Sequence, residues 1–237
     1  MTAPLVFLPG WCVGRGPELA AVDALKGTIL DLPGYRDAPL IANFHAAAED
    51  IAARLQPRTR LCGWSLGAPM ALAIAARAPE KVGKLVLIAG TGSFVQRAGW
   101  PHAMPPEMLA EFAANVAADI GAILPRFIGG FNRGDARAKE VTRILLDLAD
   151  PLPPAATLAT GLGWLREVDL RPLAPLVTAP TLLVHGANDP LMPLAAAKAL
   201  AALIPGARLA TFADCAHAPF ISRPEEFLER VQAFLNE

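Results

Sequence analysis

Gly63-Trp64-Ser65-Leu66-Gly67 sets a hydroxyl between two glycines, with a short apolar run, Arg60 to Cys62, before it and a long small-residue run, Ala68 to Ala76, after it. A strand that turns sharply into a helix would hold Ser65 on the bend with its hydroxyl projecting. Glycines two residues to either side would let the backbone turn without Cβ clashes. A serine hydroxyl is a weak nucleophile at its own pKa, so acyl transfer needs a base beside it and a third group that holds the base in one tautomer. The chain supplies both downstream, in the order acid then histidine. Asp189 ends His185-Gly186-Ala187-Asn188-Asp189, directly after a strand signal, and His217 lies in Ala216-His217-Ala218-Pro219-Phe220, after the last one. Ser65, Asp189 and His217 are therefore the expected catalytic residues. A tetrahedral intermediate also needs N–H donors for its oxyanion. Leu66, next after the nucleophile, and Trp11, in Pro9-Gly10-Trp11 after the first strand signal, are the expected pair. The Trp11 indole, Trp64 and Phe127 are expected to line the substrate pocket.

Other residues compete for these roles. His185 ends a buried strand and reads as a hydrogen-bonded core residue. His45 and His102 read as solvent-facing, and Asp214 is the alternative to Asp189 by its closeness to His217 in sequence.

The elements that would position this chemistry alternate along the chain. Strand signals fall at Leu5 to Leu8, Thr28 to Leu30, Arg60 to Cys62, Leu85 to Ile88, Thr181 to Val184 and Arg208 to Phe212. Helical patterns fill Phe44 to Leu55, Leu66 to Arg77, Leu194 to Leu203 and Pro224 to Asn236. Such alternation predicts an α/β fold, a mainly parallel sheet of about six strands with helices on both faces. Strand-end loops carrying Ser65, Asp189 and His217 would then meet at the carboxyl edge of the sheet, where ligands bind. Between Ile88 and Thr181 the rhythm breaks. That stretch, punctuated by Pro101, Pro105, Pro106, Pro125, Pro151, Pro153 and Pro154, reads as an inserted helical cap with helices near Pro106 to Ile120 and Asp135 to Ala149. The expected division is a core of residues 1–90 and 176–237 with a cap of residues 91–175.

The chain's 237 residues suit one domain with an insertion. A net charge of −1 provides no overall field for nucleic acid or an anionic membrane. Hydrophobic residues make up 54%, yet the uncharged stretch Leu61 to Ala76 is too short and too broken by Gly63, Gly67 and Pro69 to span a bilayer. No Lys or Arg precedes Arg15, so a charged leader is not expected, and the reading is a soluble, cytoplasmic monomer. Cys12, Cys62 and Cys215 share no metal-ligand spacing, so neither a disulfide framework nor a metal site is expected.

Taken together, Pro9-Gly10-Trp11, Asp31-Leu32-Pro33-Gly34, the Ser65 elbow, Val168-Asp169-Leu170-Arg171 and His217-Ala218-Pro219-Phe220-Ile221-Ser222 with Pro224 and Phe227 make a recognisable set. On them the chain resembles the α/β-hydrolase superfamily and, within it, the pimeloyl-[acyl-carrier protein] methyl ester esterases of biotin synthesis. The resemblance implies the same triad and oxyanion donors, a serine carboxylesterase without cofactor, and acyl carrier protein as the partner that brings the substrate. It also implies a basic cap face for that acidic partner, at Arg126, Arg133 and Arg137. From Arg126 to Arg143 five basic residues stand against two acidic ones, a local charge of +3. Arg133 and Arg137, four residues apart, are expected one helical turn apart on a shared face. On charge alone, a solvated helix with a local Arg137–Glu140 pair is the favoured account of the segment. The chain departs from the family pattern at Pro9, Ala68-Pro69, Arg36 and Ala122, and its first strand signal corresponds to the third strand of the usual fold. Two other readings keep the elbow but change the function: a general short-chain carboxylesterase with no carrier substrate, and a non-catalytic ligand-binding protein.

Overall fold

Runs of Leu, Val and Ile bounded by glycine and proline become strands, and the alanine-rich segments between them become helices. The computed structural model describes residues 3–237, and the order is β1 (Leu5–Leu8), α1 (Leu19–Ala24), β2 (Thr28–Ile29), α2 (Phe44–Arg54), β3 (Thr59–Trp64), α3 (Gly67–Arg77), β4 (Val82–Ile88), α4 (Pro106–Phe131), α5 (Ala138–Leu148), α6 (Ala155–Glu167), β5 (Thr181–Gly186), α7 (Leu194–Leu203), β6 (Arg208–Phe212), α8 (Pro219–Ser222) and α9 (Pro224–Asn236). The strands form one parallel sheet in the order β2-β1-β3-β4-β5-β6. β3, β4 and β5 are buried almost along their whole length, as their unbroken apolar runs require of strands covered on both faces. β3 runs past its sequence signal to Trp64 because Gly63 and Trp64 pair with Leu87 and Ile88 of β4. That extension carries the strand directly into the serine turn.

Between β4 and β5 come three helices, and here the sequence reading needs correction. α4 continues from Pro106 to Phe131 instead of stopping at Ile120, but it bends at Asp119, whose φ of −159° and ψ of 86° are not helical. The Asp119 carboxylate accepts from Ala122 N at 3.0 Å and caps the second half. α4 is long and apolar enough to cross a membrane by length and composition, which the longest uncharged run did not reveal, but the bend at Asp119 divides it into two shorter arms. α5 begins at Ala138, not Asp135, because Gly134 sits at a φ of +96° and the Asp135 carboxylate turns back onto Arg137 N at 2.7 Å. Arg133 and Arg137 therefore lie in a turn and at a helix cap, and share no helical face. α6 was given no range by the sequence reading. The prolines at 151, 153 and 154 read as breaks between short helices, and Pro154 is the N-cap that opens this one.

Candidate active site

Strand order puts the carboxyl ends of β1, β3, β5 and β6 along one edge of the sheet. Ser65 follows β3 at a φ of 53°, a left-handed conformation that costs a side-chain-bearing residue about 1 to 3 kcal/mol. The flanking glycines explain how the turn is tolerated. A Cβ on Gly63 would lie 2.2 Å from Gly67 O, and one on Gly67 would lie 2.1 Å from Leu8 O. Helix α3 can therefore sit this close to β1 and β3 only without those side chains.

The loop after β6 brings His217 Nε2 to 2.9 Å from Ser65 Oγ, and the loop after β5 brings Asp189 Oδ2 to 2.8 Å from His217 Nδ1. Both His217 and Asp189 are buried. A carboxylate can only accept, so Nδ1 carries the imidazole proton and Nε2 presents its lone pair to the serine hydroxyl. The other carboxylate oxygen, Asp189 Oδ1, accepts from Leu191 N and Met192 N, each at 2.9 Å. Three donors thus fix the acid that fixes the base. Trp64 Nε1 donates to His217 O at 2.9 Å, so the residue before the serine also holds the histidine backbone.

Among the described residues neither the Trp11 nor the Leu66 backbone N–H is spent on a protein acceptor, which leaves both available for the oxyanion role expected of them. The Trp11 indole donates to Leu158 O at 3.0 Å, which ties the first loop to α6. Over Ser65 and His217 opens an apolar cavity of about 360 Å³, walled by Trp11, Trp64, Phe112, Phe127, Phe131 and Leu162. The three expected pocket residues, Trp11, Trp64 and Phe127, all lie on it. Phe112 and Phe131 were not anticipated; their spacing in a helix with an apolar face looks like ordinary core packing until the bend in α4 turns them onto the serine.

His185 is fully buried and contacts Met192 O through Nε2 at 2.6 Å, and burial holds its pKa below the ordinary histidine range. His102 is exposed and His45 half-buried, away from the serine. Asp214 is exposed, at a φ of 52°, and serves the site only through its carbonyl, which accepts from Ala136 N at 2.9 Å.

The three arginines divide. Arg126 is exposed at the rim of the cavity and Arg133 is exposed on the α4–α5 turn. The Arg137 fork closes on Glu140 at 2.9 and 2.6 Å, and its remaining nitrogen donates to Ser222 O at 2.9 Å. That pairing pulls the Glu140 carboxyl below its ordinary range. Arg137 is thus a strut between α5 and α8, in line with the local pair the charge pattern allowed and unlike the free docking cation the resemblance implied.

Residues 5–230 match a family described as the alpha/beta hydrolase family. A pimeloyl-[acyl-carrier protein] methyl ester esterase from Nitrosomonas europaea is 39% identical, over 94% of this chain and 92% of that protein. Another so named, from Aromatoleum aromaticum, is 39% identical over 94% of each. Among solved structures, an esterase from Exiguobacterium antarcticum superposes with a TM-score of 0.86 at 24% identity, covering 99% of this chain and 92% of that one, a likeness of fold.

Proposed function

The chain belongs to the alpha/beta hydrolase family and, within it, to the pimeloyl-[acyl-carrier protein] methyl ester esterases, and from that premise we propose that Ser65, His217 and Asp189 hydrolyse the methyl ester of pimeloyl-[acyl-carrier protein]. The observation that carries the reading is the unbroken relay of 2.9 and 2.8 Å from Ser65 through His217 to Asp189 under an apolar cavity. His217 Nε2 takes the Ser65 proton as Oγ attacks the ester carbonyl, and the N–H groups of Trp11 and Leu66 receive the oxyanion. Collapse expels methoxide, which takes the proton from Nε2 and leaves as methanol. Water then enters, gives a proton to the same nitrogen and attacks the acyl-serine, and Ser65 leaves with that proton restored. Asp189 orients the imidazole and stabilises the imidazolium. The product is a free carboxylate on an acyl chain still held by its carrier.

In this reading residues 1–90 and 176–237 are the hydrolase core, and residues 91–175 are a cap that walls the acyl path. The first two residues of that core span lie outside the described residues. Exposed Arg126, at the cavity rim, and exposed Arg133, on the α4–α5 turn, receive the carrier, while Arg137 braces the cap. Ser65→Ala is expected to lower kcat by roughly 10⁴-fold or more with an unaltered circular dichroism spectrum. Turnover near the wild-type level in that variant would refute serine catalysis. A preference for a small free methyl ester over the carrier-bound one would instead favour a general esterase.

A further inference from the structure

We propose that Asp135 is a positioning residue for His217, by which the cap holds the catalytic loop of the core in register; this rests on the esterase reading above. Asp135 is buried on the α4–α5 turn, with a relative exposure of 7%. Its Oδ2 accepts from Ala216 N, the peptide immediately before His217, at 3.0 Å. Its Oδ1 accepts from Ser222 Oγ at 2.9 Å and from Arg137 N at 2.7 Å. The same turn makes two more bonds to the catalytic loops: Ala136 N donates to Asp214 O at 2.9 Å, and Asn188 Nδ2 donates to Gly134 O at 2.8 Å, one residue before Asp189. Phe131, at the end of α4, lies 4.9 Å from the His217 ring between centroids.

The backbone around His217 is consequently gripped from two directions. Trp64, on the core side, donates to the His217 carbonyl, and Asp135, on the cap side, accepts from the N–H just before it. The first bond sets the imidazole's distance from the elbow, because Trp64 precedes Ser65. The second orients the approach of the loop, and among the described residues no other carboxylate accepts from the loop's backbone. The three donors come to two oxygens from two sides, and two of them are backbone N–H groups that cannot reverse. An asparagine in either orientation turns its NH₂ toward at least one of those N–H groups, leaving a donor facing a donor.

The experiment compares wild type, Asp135→Asn and Asp135→Ala on a small methyl ester, with turnover normalised to the sites labelled by a serine-directed phosphonate and with melting temperature measured alongside. The expected result is a loss of about tenfold to a hundredfold in turnover per labelled site with KM changed less than threefold, because misplacing the base by a fraction of an ångström slows the chemical step and leaves ester binding intact. Ser222→Ala, which removes one neutral donor and leaves the Ala216 bond, is expected to fall between wild type and Asp135→Asn. A lowered melting temperature with wild-type turnover per labelled site would overturn the inference and make Asp135 a structural residue only. Absence of phosphonate labelling at Ser65 in the wild type would overturn the esterase reading itself, and this inference with it.

Discussion

Two buried carboxylates show how partners decide what an acid does. Asp189 is 4% exposed and accepts three hydrogen bonds, one of them from His217, so its orientation toward the imidazole is fixed. Glu18 is 2% exposed, and among the described residues neither of its carboxyl oxygens has a hydrogen-bond partner. Burial alone pushes its pKa well above the ordinary carboxylate range. The folded state therefore holds a proton on Glu18 at pH values where the unfolded chain has released it. Its contribution to stability is complete below the unfolded pKa of about 4.3 and is lost as pH rises through the raised folded value. Glu18→Met removes both the titration and the orphaned oxygens. It is expected to raise the melting temperature more at pH 8 than at pH 5, and an equal shift at the two pH values in thermal melts would contradict the assignment.

At the scale of elements, the serine turn and the bend in α4 are built by opposite means. The turn between β3 and α3 depends on missing side chains, since a Cβ at Gly63 or Gly67 would overlap backbone. The bend depends on a side chain that is present, the Asp119 carboxylate on Ala122 N. Its consequence reaches the cavity, because Phe112 lies before the bend and Phe127 after it, and their rings meet 4.8 Å apart between centroids. Asp119→Ala removes the cap and is expected to cost about 1 kcal/mol in urea unfolding. It should also loosen the acyl wall, read as a rise in KM for long-chain esters greater than for acetate esters. A helix that runs straight through residue 119 in the variant, with no loss of stability, would contradict the capping role.

Over the whole molecule, the segment above the sheet is fastened at several points to loops that follow the strands. Asp150 N donates to Val13 O at 3.0 Å, Thr157 Oγ1 to Gly34 O at 3.0 Å, and Trp164 Nε1 to Ala42 O at 2.7 Å. Together with Trp11 on Leu158 and Asp135 on Ala216, these bonds seat α4 to α6 around the cavity mouth. The exposed basic side chains Arg126, at the cavity rim, and Arg133, on the α4–α5 turn, belong to a segment of charge +3 in a chain of net charge −1. An acidic carrier would be drawn to that face through a field that salt screens over about 10 Å at 0.1 M. Raising salt from 20 to about 300 mM is thus expected to lower kcat/KM for the carrier-bound ester several-fold more than for a small neutral ester. Arg126→Glu with Arg133→Glu should flatten that salt dependence, and parallel salt curves for both substrates would remove the carrier from the account.

The triad was legible in the sequence because its signals are local. Glycines around Ser65 report a backbone turn, apolar runs report strands, and acid and histidine each follow such a run, so the parallel order of strands was enough to bring Ser65, Asp189 and His217 to one edge. The same locality hid the rest. Asp135 bonds Ala216 across 81 residues and Arg137 bonds Ser222 across 85, and neither pairing leaves a mark on the residues beside it. Prolines at 151 to 154 mark a break in either a loop or a helix start, and only the packing of α6 over Trp11 decides between them. Sequence pattern determined which groups could react and which edge they would share; the folded chain alone decided which charges are spent on holding that edge together, because hydrogen-bond partners are chosen by distance in space and not along the chain.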